Sequence, residues 1–215
     1  MRKLKDQTIK ILLKKEKYNK PKIIINKVYT KSGDKGNTSI VGGHKLSKDS
    51  LRIESFGLIE ELNTFVGSCI LLLDHMKKKD SSIVYAYLFR LQNELFNLGN
   101  MLSTLDSDYS LSMPQVNKED LEYMETLIDN INKTLPVLDS FILPGGSDLS
   151  VRFHQARTMC RRCERIVVSL NKKEKINKII LPYINRLSDL FFVLSRWANT
   201  ILQVEEITWN PNYNK

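Results

Sequence analysis

Arginine side chains recur at helical spacing between residues 152 and 165. At 100° per residue, one stripe about 100° wide collects His154, Arg157, Arg161, Glu164, Arg165 and Val168, with Arg162 on its flank. Arginines four residues apart repel, so they require solvent, acids on neighbouring helices or a bound polyanion. The planar guanidinium suits phosphate oxygens. A solvated face is the alternative, but the apolar residues here form no clean opposite face, so we expect part of the stripe to contact protein.

A second group of residues suited to binding an anion lies in a glycine-rich segment, residues 29–39, followed by Gly42, Gly43 and Lys48. Glycines let backbone N–H groups turn toward an anion, hydroxyls add hydrogen bonds, and lysines neutralise charge. The segment lacks the Walker A pattern and its strand-to-helix context. A plain surface hairpin is the alternative for this segment taken alone.

A third polar group, Asn185-Arg186-Leu187-Ser188-Asp189, enters an otherwise apolar helical stretch. Such a patch is usually a buried network or a ligand contact. Arg186 and Asp189 could simply pair with neighbouring side chains, so both interpretations stay open.

The elements that must position these groups are predicted from hydrophobic periodicity and from breakers. Helices are expected over residues 51–77, 82–102, 118–134, 147–170 and 177–203, with a loop at 104–116. Strands do not alternate with helices, so we predict an all-α, antiparallel five-helix bundle with an irregular glycine-rich N-terminal arm. Residues 26–210 would form one domain, preceded by a basic, flexible tail over residues 1–25.

The charge distribution argues against a nucleic-acid-binding face. The chain carries +9, but residues 1–22 alone carry +7 and the remaining 193 residues about +2. A solvated tail is favoured over a targeting segment or an anionic-surface contact, because mitochondrial presequences are Arg-rich and poor in acids. No uncharged apolar run reaches the roughly 18 residues that a membrane span needs, so we expect no membrane contact.

Other motifs are excluded by their surroundings. Cys160 and Cys163 form a C-x-x-C on a helical segment without a second pair, which disfavours metal or redox chemistry, and three cysteines suit a reducing compartment. Val41, Leu72 and Val151 stand three residues before the three histidines, so no E-x-x-H di-iron ligand motif exists. The residues taken alone therefore indicate no metal-ligating side chain.

Three segments, in this order, together resemble the PduO-type ATP:cob(I)alamin adenosyltransferases. They are the arm at residues 29–39, the run from Phe141 through Ser147 to Arg165, and Asn185 to Asp189. The resemblance covers about residues 27–210. It implies a five-helix bundle, a homotrimer with active sites between subunits, ATP, Mg²⁺ and cob(I)alamin. It also implies a transferase in which reduced cobalt attacks the 5′ carbon of ATP, giving adenosylcobalamin and triphosphate, while the protein supplies positioning and electrostatics.

The resemblance also assigns residues. The ATP contacts would be Thr30, Lys31, Ser32, Gly33, Thr38, Ser39, Lys48, Arg161, Arg162, Glu164, Arg165 and Asn185. Phe141 stands where the family places an aromatic beside the lower face of the corrin, where it helps displace the lower ligand and eases reduction of the cobalt. Arg157 stands where the family has an arginine paired across subunits with an Asp. Glu60 occupies that partner position, with the charge kept and one methylene added.

Two other functions remain as alternatives. A helical module that senses a nucleotide or polyanion without turnover is the runner-up, and a basic nucleic-acid-binding bundle is disfavoured by where the charge lies. The bacterial-type cytoplasm is the expected compartment, with the mitochondrial matrix second.

Overall fold

Five α-helices dominate the part of the chain that the structure describes, which is residue 29, residues 31–76 and residues 81–213. In the computed structural model they are α1 (Leu51–Met76), α2 (Ser82–Leu102), α3 (Lys118–Asn132), α4 (Asp148–Asn171) and α5 (Ile180–Leu202). The all-α, five-helix prediction is confirmed, and each predicted helix lies within three residues of an observed one. The basic tail, Thr30 and residue 77 lie outside the described residues.

The helices form because apolar residues repeat at helical spacing and are buried against one another. On α1 the buried face contains Leu58, Leu62, Val66, Cys69 and Leu73, all at most 2% exposed. α4 packs against both α1 and α5, while α2 packs on α1 and α3 packs on α5. α4 is therefore central, and its sequence must serve both the core and the surface.

A buried carboxylate connects three of the helices. Glu94 of α2 accepts a 2.5 Å hydrogen bond from the Tyr183 hydroxyl of α5 and pairs with Arg90. Arg90 also reaches Asp120 of α3. Burial raises the pKa of the Glu94 carboxyl, against the lowering effect of Tyr183 and Arg90. Breaking such a network costs more than forming it gains, because a charge is left without its partners.

Arg52, in the first turn of α1, is buried with only 2% of its surface exposed. Its guanidinium donates to the carbonyl oxygens of Leu102 and Thr104 at 2.7 and 2.9 Å, and to the Glu174 carboxylate at 2.7 and 2.8 Å. The start of α1 is thus bonded to the end of α2 and to the connection between α4 and α5.

The glycine-rich arm is more regular than the sequence predicted. It contains an antiparallel pair of short strands, β1 (Asn37–Ser39) and β2 (Lys45–Ser47), with Thr38 opposite Leu46. Gly42 and Gly43 form its turn with φ of 87° and 83°, in the region that favours glycine. The surface-hairpin interpretation therefore describes the backbone correctly.

α1 is, by length and composition, the one helix among the described residues that could cross a membrane. An 18-residue window in it has a mean hydropathy of 1.5. The hydropathy of α1 was not apparent from the sequence pattern, because charged and polar residues interrupt its apolar residues. A core helix passes the same test, and 39% of that window is buried inside this bundle.

Candidate active site

The hairpin holds a lysine over a glycine turn. Gly36 N donates to Gly33 O at 3.2 Å, and Lys48 N donates to Gly36 O at 2.8 Å. Lys31 adopts a left-handed backbone with φ 61°. A Cβ at Gly33 would lie 3.1 Å from Lys48 Nζ. The small residue thus lets an ammonium group sit against the turn, which gives the segment a compact positive charge.

The other predicted residues of the arm lie near the surface. Lys31, Ser32, Ser39 and Lys48 are exposed, and Thr38 is half-buried. The hairpin tip is attached to the loop after α2, where His44 Nε2 lies 2.8 Å from Asp108 Oδ2. The structure therefore presents these side chains to solvent on a hairpin that is fixed at its tip.

The arginine stripe of α4 is exposed over its C-terminal half. Arg161, Arg162 and Arg165 are all exposed, and within the described residues none of them forms an ion pair. Arg165 Nη1 donates to the Arg161 carbonyl at 3.2 Å. Arg161 and Arg165 lie one turn apart, while Arg162 faces a cleft that is also lined by Glu54, Glu60 and Glu61 of α1. The exposed guanidiniums of Arg161 and Arg165 leave a positive surface that suits a polyanion.

The expectation that part of the stripe contacts protein is confirmed for its N-terminal half. His154 is 5% exposed, and the guanidinium of Arg157 lies 5.4 Å from the centre of the Phe192 ring on α5. Burial, and secondarily the Arg157 cation, lower the pKa of His154 to about 4. Its Nδ1 is buried without a hydrogen-bond partner among the described residues. The imidazole is therefore neutral at physiological pH.

The polar patch of α5 divides into two parts. Asn185 Nδ2 donates to Glu164 Oε1 at 3.0 Å, which places this amide beside the arginines of α4. Arg186 pairs with Glu125 of α3 at 3.0 Å and with Asp189 at 2.7 Å. Arg186 and Asp189 therefore pair with neighbouring side chains, which was one of the two interpretations of this patch. Asn185 instead lies at the candidate site.

The turn before α4 is fixed by a residue that the sequence analysis missed. Asn199, 3% exposed on α5, accepts hydrogen bonds from Ser147 N and Oγ, both at 2.9 Å, and donates to Gly145 O at 3.3 Å. Gly146 has φ 92°, and a Cβ there would lie 2.5 Å from the Asn199 amide. Ser147 is the N-cap of α4. A lone Asn on an apolar helix gives no local signal of this role.

Phe141 is 79% exposed and lies just before that turn. Its segment pairs with the C-terminal segment: Trp209 N donates to Phe141 O at 2.6 Å, and Leu143 N donates to Ile207 O at 2.8 Å. The rings of Phe141 and Trp209 meet edge to face with centroids 6.3 Å apart. The sequence analysis assigned no structure to this C-terminal segment.

Cys160 and Cys163 serve the core. The thiols donate to the carbonyl oxygens of Ile184 and Leu58, each at 3.2 Å. Burial raises the pKa of the Cys163 thiol to about 12. Within the described ranges, no group of three or more His, Cys, Asp or Glu is placed to hold a metal ion.

No hydrogen bond or ion pair joins the two halves of the predicted anion site within the described residues. The hairpin borders a groove of about 690 Å³ between α1 and α2. Glu164 of α4 bonds Asn185 of α5, whereas Arg162 faces α1 in a cleft lined by Glu60 and Glu61. Glu60 is exposed on α1, and no ion pair joins it to Arg157 in the described part of the chain. The fold forms each half without uniting them.

The described residues combine a helix bundle, a lysine-bearing glycine hairpin, exposed arginines on α4 and an exposed aromatic, which together suit a polyanion beside an apolar ligand. Comparison with known proteins identifies the family. The sequence model of the cobalamin adenosyltransferase family matches residues 28–198, and the chain belongs to this family.

Individual proteins similar to this chain support the same family assignment. The chain is 45% identical over 175 residues to the corrinoid adenosyltransferase of Bacillus subtilis, which covers 80% of this chain and 86% of the relative. It is 38% identical over 185 residues to the cobalamin adenosyltransferase of Cupriavidus metallidurans, with coverages of 86% and 95%. Among solved structures, a variant PduO-type ATP:corrinoid adenosyltransferase from Lactobacillus reuteri, complexed with cobalamin and ATP, matches with TM-score 0.79 and 36% identity over 86% of this chain and 99% of that one.

Proposed function

We propose that this protein transfers the 5′-deoxyadenosyl group of ATP to cob(I)alamin. The cobalt would donate its electron pair to the 5′ carbon as the bond from that carbon to oxygen breaks, and triphosphate would leave with the bonding electrons. The cluster of Arg161, Arg162 and Arg165 carries the proposal, because three unpaired guanidiniums suit a triphosphate that gains charge as it leaves.

The ATP site would draw on both anion-binding groups. Lys31, Ser32, Gly33, Thr38, Ser39 and Lys48 of the arm would contact the nucleotide together with Thr30, and Asn185 and Glu164 would complete the wall formed by the arginines. Mg²⁺ usually keeps several waters and is held by substrate phosphates with one or two carboxylates. Glu164, half-buried beside two of the arginines, is the carboxylate that would take part.

The corrin side would be formed by Phe141, Arg157 and Glu60. An exposed aromatic such as Phe141 suits the apolar lower face of a corrin. Arg157 is held over the Phe192 ring, and Glu60 is exposed, so each is available to a partner in a neighbouring subunit. We propose that they pair across subunits.

We propose a homotrimer. No hydrogen bond or ion pair joins the hairpin to the arginines within the described residues, so a complete site would combine the hairpin of one subunit with α4 of the next. Such a contact between two different surfaces closes when the subunits form a ring. The groove between α1 and α2 supports this assembly because it is largely apolar and Phe96, 73% exposed, borders it.

The proposal extends to the domain organisation of the chain and to its cellular compartment. Residues 26–210 would be one adenosyltransferase domain and residues 1–25 a basic tail. The relatives named above are bacterial, which supports the cytoplasm and gives no support to the mitochondrial matrix.

The test is to mix the purified protein anaerobically with ATP, Mg²⁺ and chemically reduced cobalamin and to follow the corrin spectrum. We expect adenosylcobalamin and one triphosphate per turnover. ATP binding without any adenosylcobalamin would contradict the proposal and favour the sensing module.

Arg161→Ala should raise the KM for ATP or lower kcat/KM by about 10- to 100-fold, because it removes one charge-assisted contact. Arg152→Ala is the matched control. Arg152 is exposed on the same helix, nine residues or two and a half turns before Arg161 and so on the opposite side of the helix, and it bonds Gln155 at 3.2 Å. It should leave ATP kinetics unchanged, and equal effects of the two substitutions would refute the assignment.

A further inference from the structure

The C-terminal segment, residues 204–209, lies against the segment that carries Phe141. Ile142 and Thr208 form an antiparallel bridge. On either side of it, the backbone hydrogen bonds from Trp209 N to Phe141 O and from Leu143 N to Ile207 O continue the pairing. Residues 141–143 and 207–209 thus behave as a two-stranded ribbon, although each strand is too short to be stable alone.

A buried arginine anchors this ribbon to the bundle. Arg196 of α5, 4% exposed, donates to the Glu206 carboxylate at 3.1 Å and to the Pro136 carbonyl at 2.8 Å. It therefore holds the chain just before each strand of the ribbon. The backbone under Phe141 is fixed by this contact on one side and by Asn199, through Ser147, on the other.

Among the described residues, the one aromatic ring recorded against the side chain of Phe141 is that of Trp209, on the other strand of the ribbon. It is 79% exposed, and the Trp209 ring meets it at an angle of 64°, while Trp209 itself is 50% exposed. Edge-to-face pairs of this kind are favoured by the opposite charges of ring edge and ring face. Trp209 therefore limits the rotamers of a side chain that the helices leave free.

We propose that Trp209 is a positioning residue that holds the Phe141 ring in the orientation needed at the lower face of the corrin. This inference rests on the proposed function. In the step it serves, the bond between cobalt and the lower nitrogen ligand of cob(II)alamin breaks, the nitrogen keeps its electron pair, and one electron from a reductant such as a reduced flavin then gives cob(I)alamin. A Phe141 ring that samples several rotamers would exclude the lower nitrogen ligand of the cobalt less effectively.

The experiment compares Trp209→Ala with the wild type in three assays, with ATP and Mg²⁺ present. The first measures the fraction of bound cob(II)alamin that has lost its lower ligand, from its visible spectrum. The second measures turnover from cob(II)alamin with reduced flavin. The third measures turnover from cobinamide, a corrinoid without the lower base. We expect the base-free fraction and turnover from cob(II)alamin to fall about three- to tenfold, the range that one aromatic pair contributes, and turnover from cobinamide to change less than twofold.

Three further variants sharpen the result. Thr208→Ala is the matched control, because neighbouring strand residues point to opposite faces and its backbone pairing remains; it should resemble the wild type. Trp209→Phe should restore most of the loss because a ring remains. Adding Trp209→Ala to Phe141→Ala should cause no further loss, since Trp209 acts through Phe141.

Equal losses with cob(II)alamin and cobinamide, or an unchanged base-free fraction, would overturn the inference. If Trp209→Ala does not fold, the Trp209→Phe variant is the test. An intermediate loss of turnover that is confined to cob(II)alamin supports the inference. A loss of turnover with both corrinoids, or no loss with either, overturns it. A wild-type protein that adenosylates neither corrinoid would instead refute the proposed function.

Discussion

His154 is the residue on the arginine helix whose charge state is set by burial. Its imidazole is 5% exposed, its Nδ1 lacks a partner among the described residues, and its pKa is lowered to about 4. In the unfolded chain the pKa returns to about 6.5. Between these values the unfolded state binds more protons than the folded state, so stability falls as the pH drops from about 6.5 toward 4.

We therefore predict that His154→Gln flattens the pH dependence of stability. For the wild type, this one residue should remove up to about 3 kcal/mol between pH 7 and pH 4. Urea unfolding at pH 7 and pH 5 measures the slope for both proteins, and carboxylates that titrate in this range are common to both. Parallel slopes in the two proteins would show that His154 is not the titrating group.

Helix α4 shows how one element serves both the core and the site. Its buried face packs on α1 and α5, its exposed end carries the arginines, and its N-terminus is held by Asn199 through Ser147. The orientation of the arginine face therefore depends on a turn that lies more than a dozen residues away from it.

Asn199→Ala should lower the free energy of unfolding by about 1–3 kcal/mol, because Ser147 N and Gly145 O lose their partner. Urea denaturation measures the change. Asn171→Ala, at the exposed C-terminal end of α4, is the control and should stay within about 0.5 kcal/mol of the wild type. A comparable loss in both variants would mean that the turn does not depend on this amide.

The helices were predictable from the sequence, and the ribbon of residues 141–143 and 207–209 was not. Over a helix of more than twenty residues such as α5, the 3.6-residue period is pronounced, and a serine after two glycines suits the N-cap that begins α4. A strand of three residues is too short to show a hydrophobic period in the sequence. The pairing of these two strands depends on contacts of Arg196 and on the helix bundle, which brings the distant segments together. For the same reason Asn185 could be assigned to the site from the resemblance, whereas Asn199 and Trp209 were missed.

At the scale of the whole molecule, the proposed homotrimer would make assembly a condition of activity. Phe96→Glu places a charge on the apolar groove beside the hairpin. We expect sedimentation equilibrium to show a shift from trimer toward monomer, with adenosylation lost in parallel, because burying an unpaired carboxylate in an interface is costly.

Leu111→Glu is the control for that change. Leu111 is 86% exposed in the loop after α2, so the same charge there should alter neither mass nor activity. A Phe96→Glu protein that keeps the wild-type mass would place the subunit contact elsewhere, and a monomeric, active wild type would contradict the trimer itself.

The buried guanidinium of Arg52 connects the base of the hairpin to distant parts of the chain. Arg52 stands only four residues after Lys48, and its partners lie 50, 52 and 122 residues further along the chain. A chain cut before the connection between α4 and α5 would therefore leave this buried cation without its carboxylate. Under the proposed function, such a chain would hold ATP less tightly, because the base of the lysine hairpin would have lost this support.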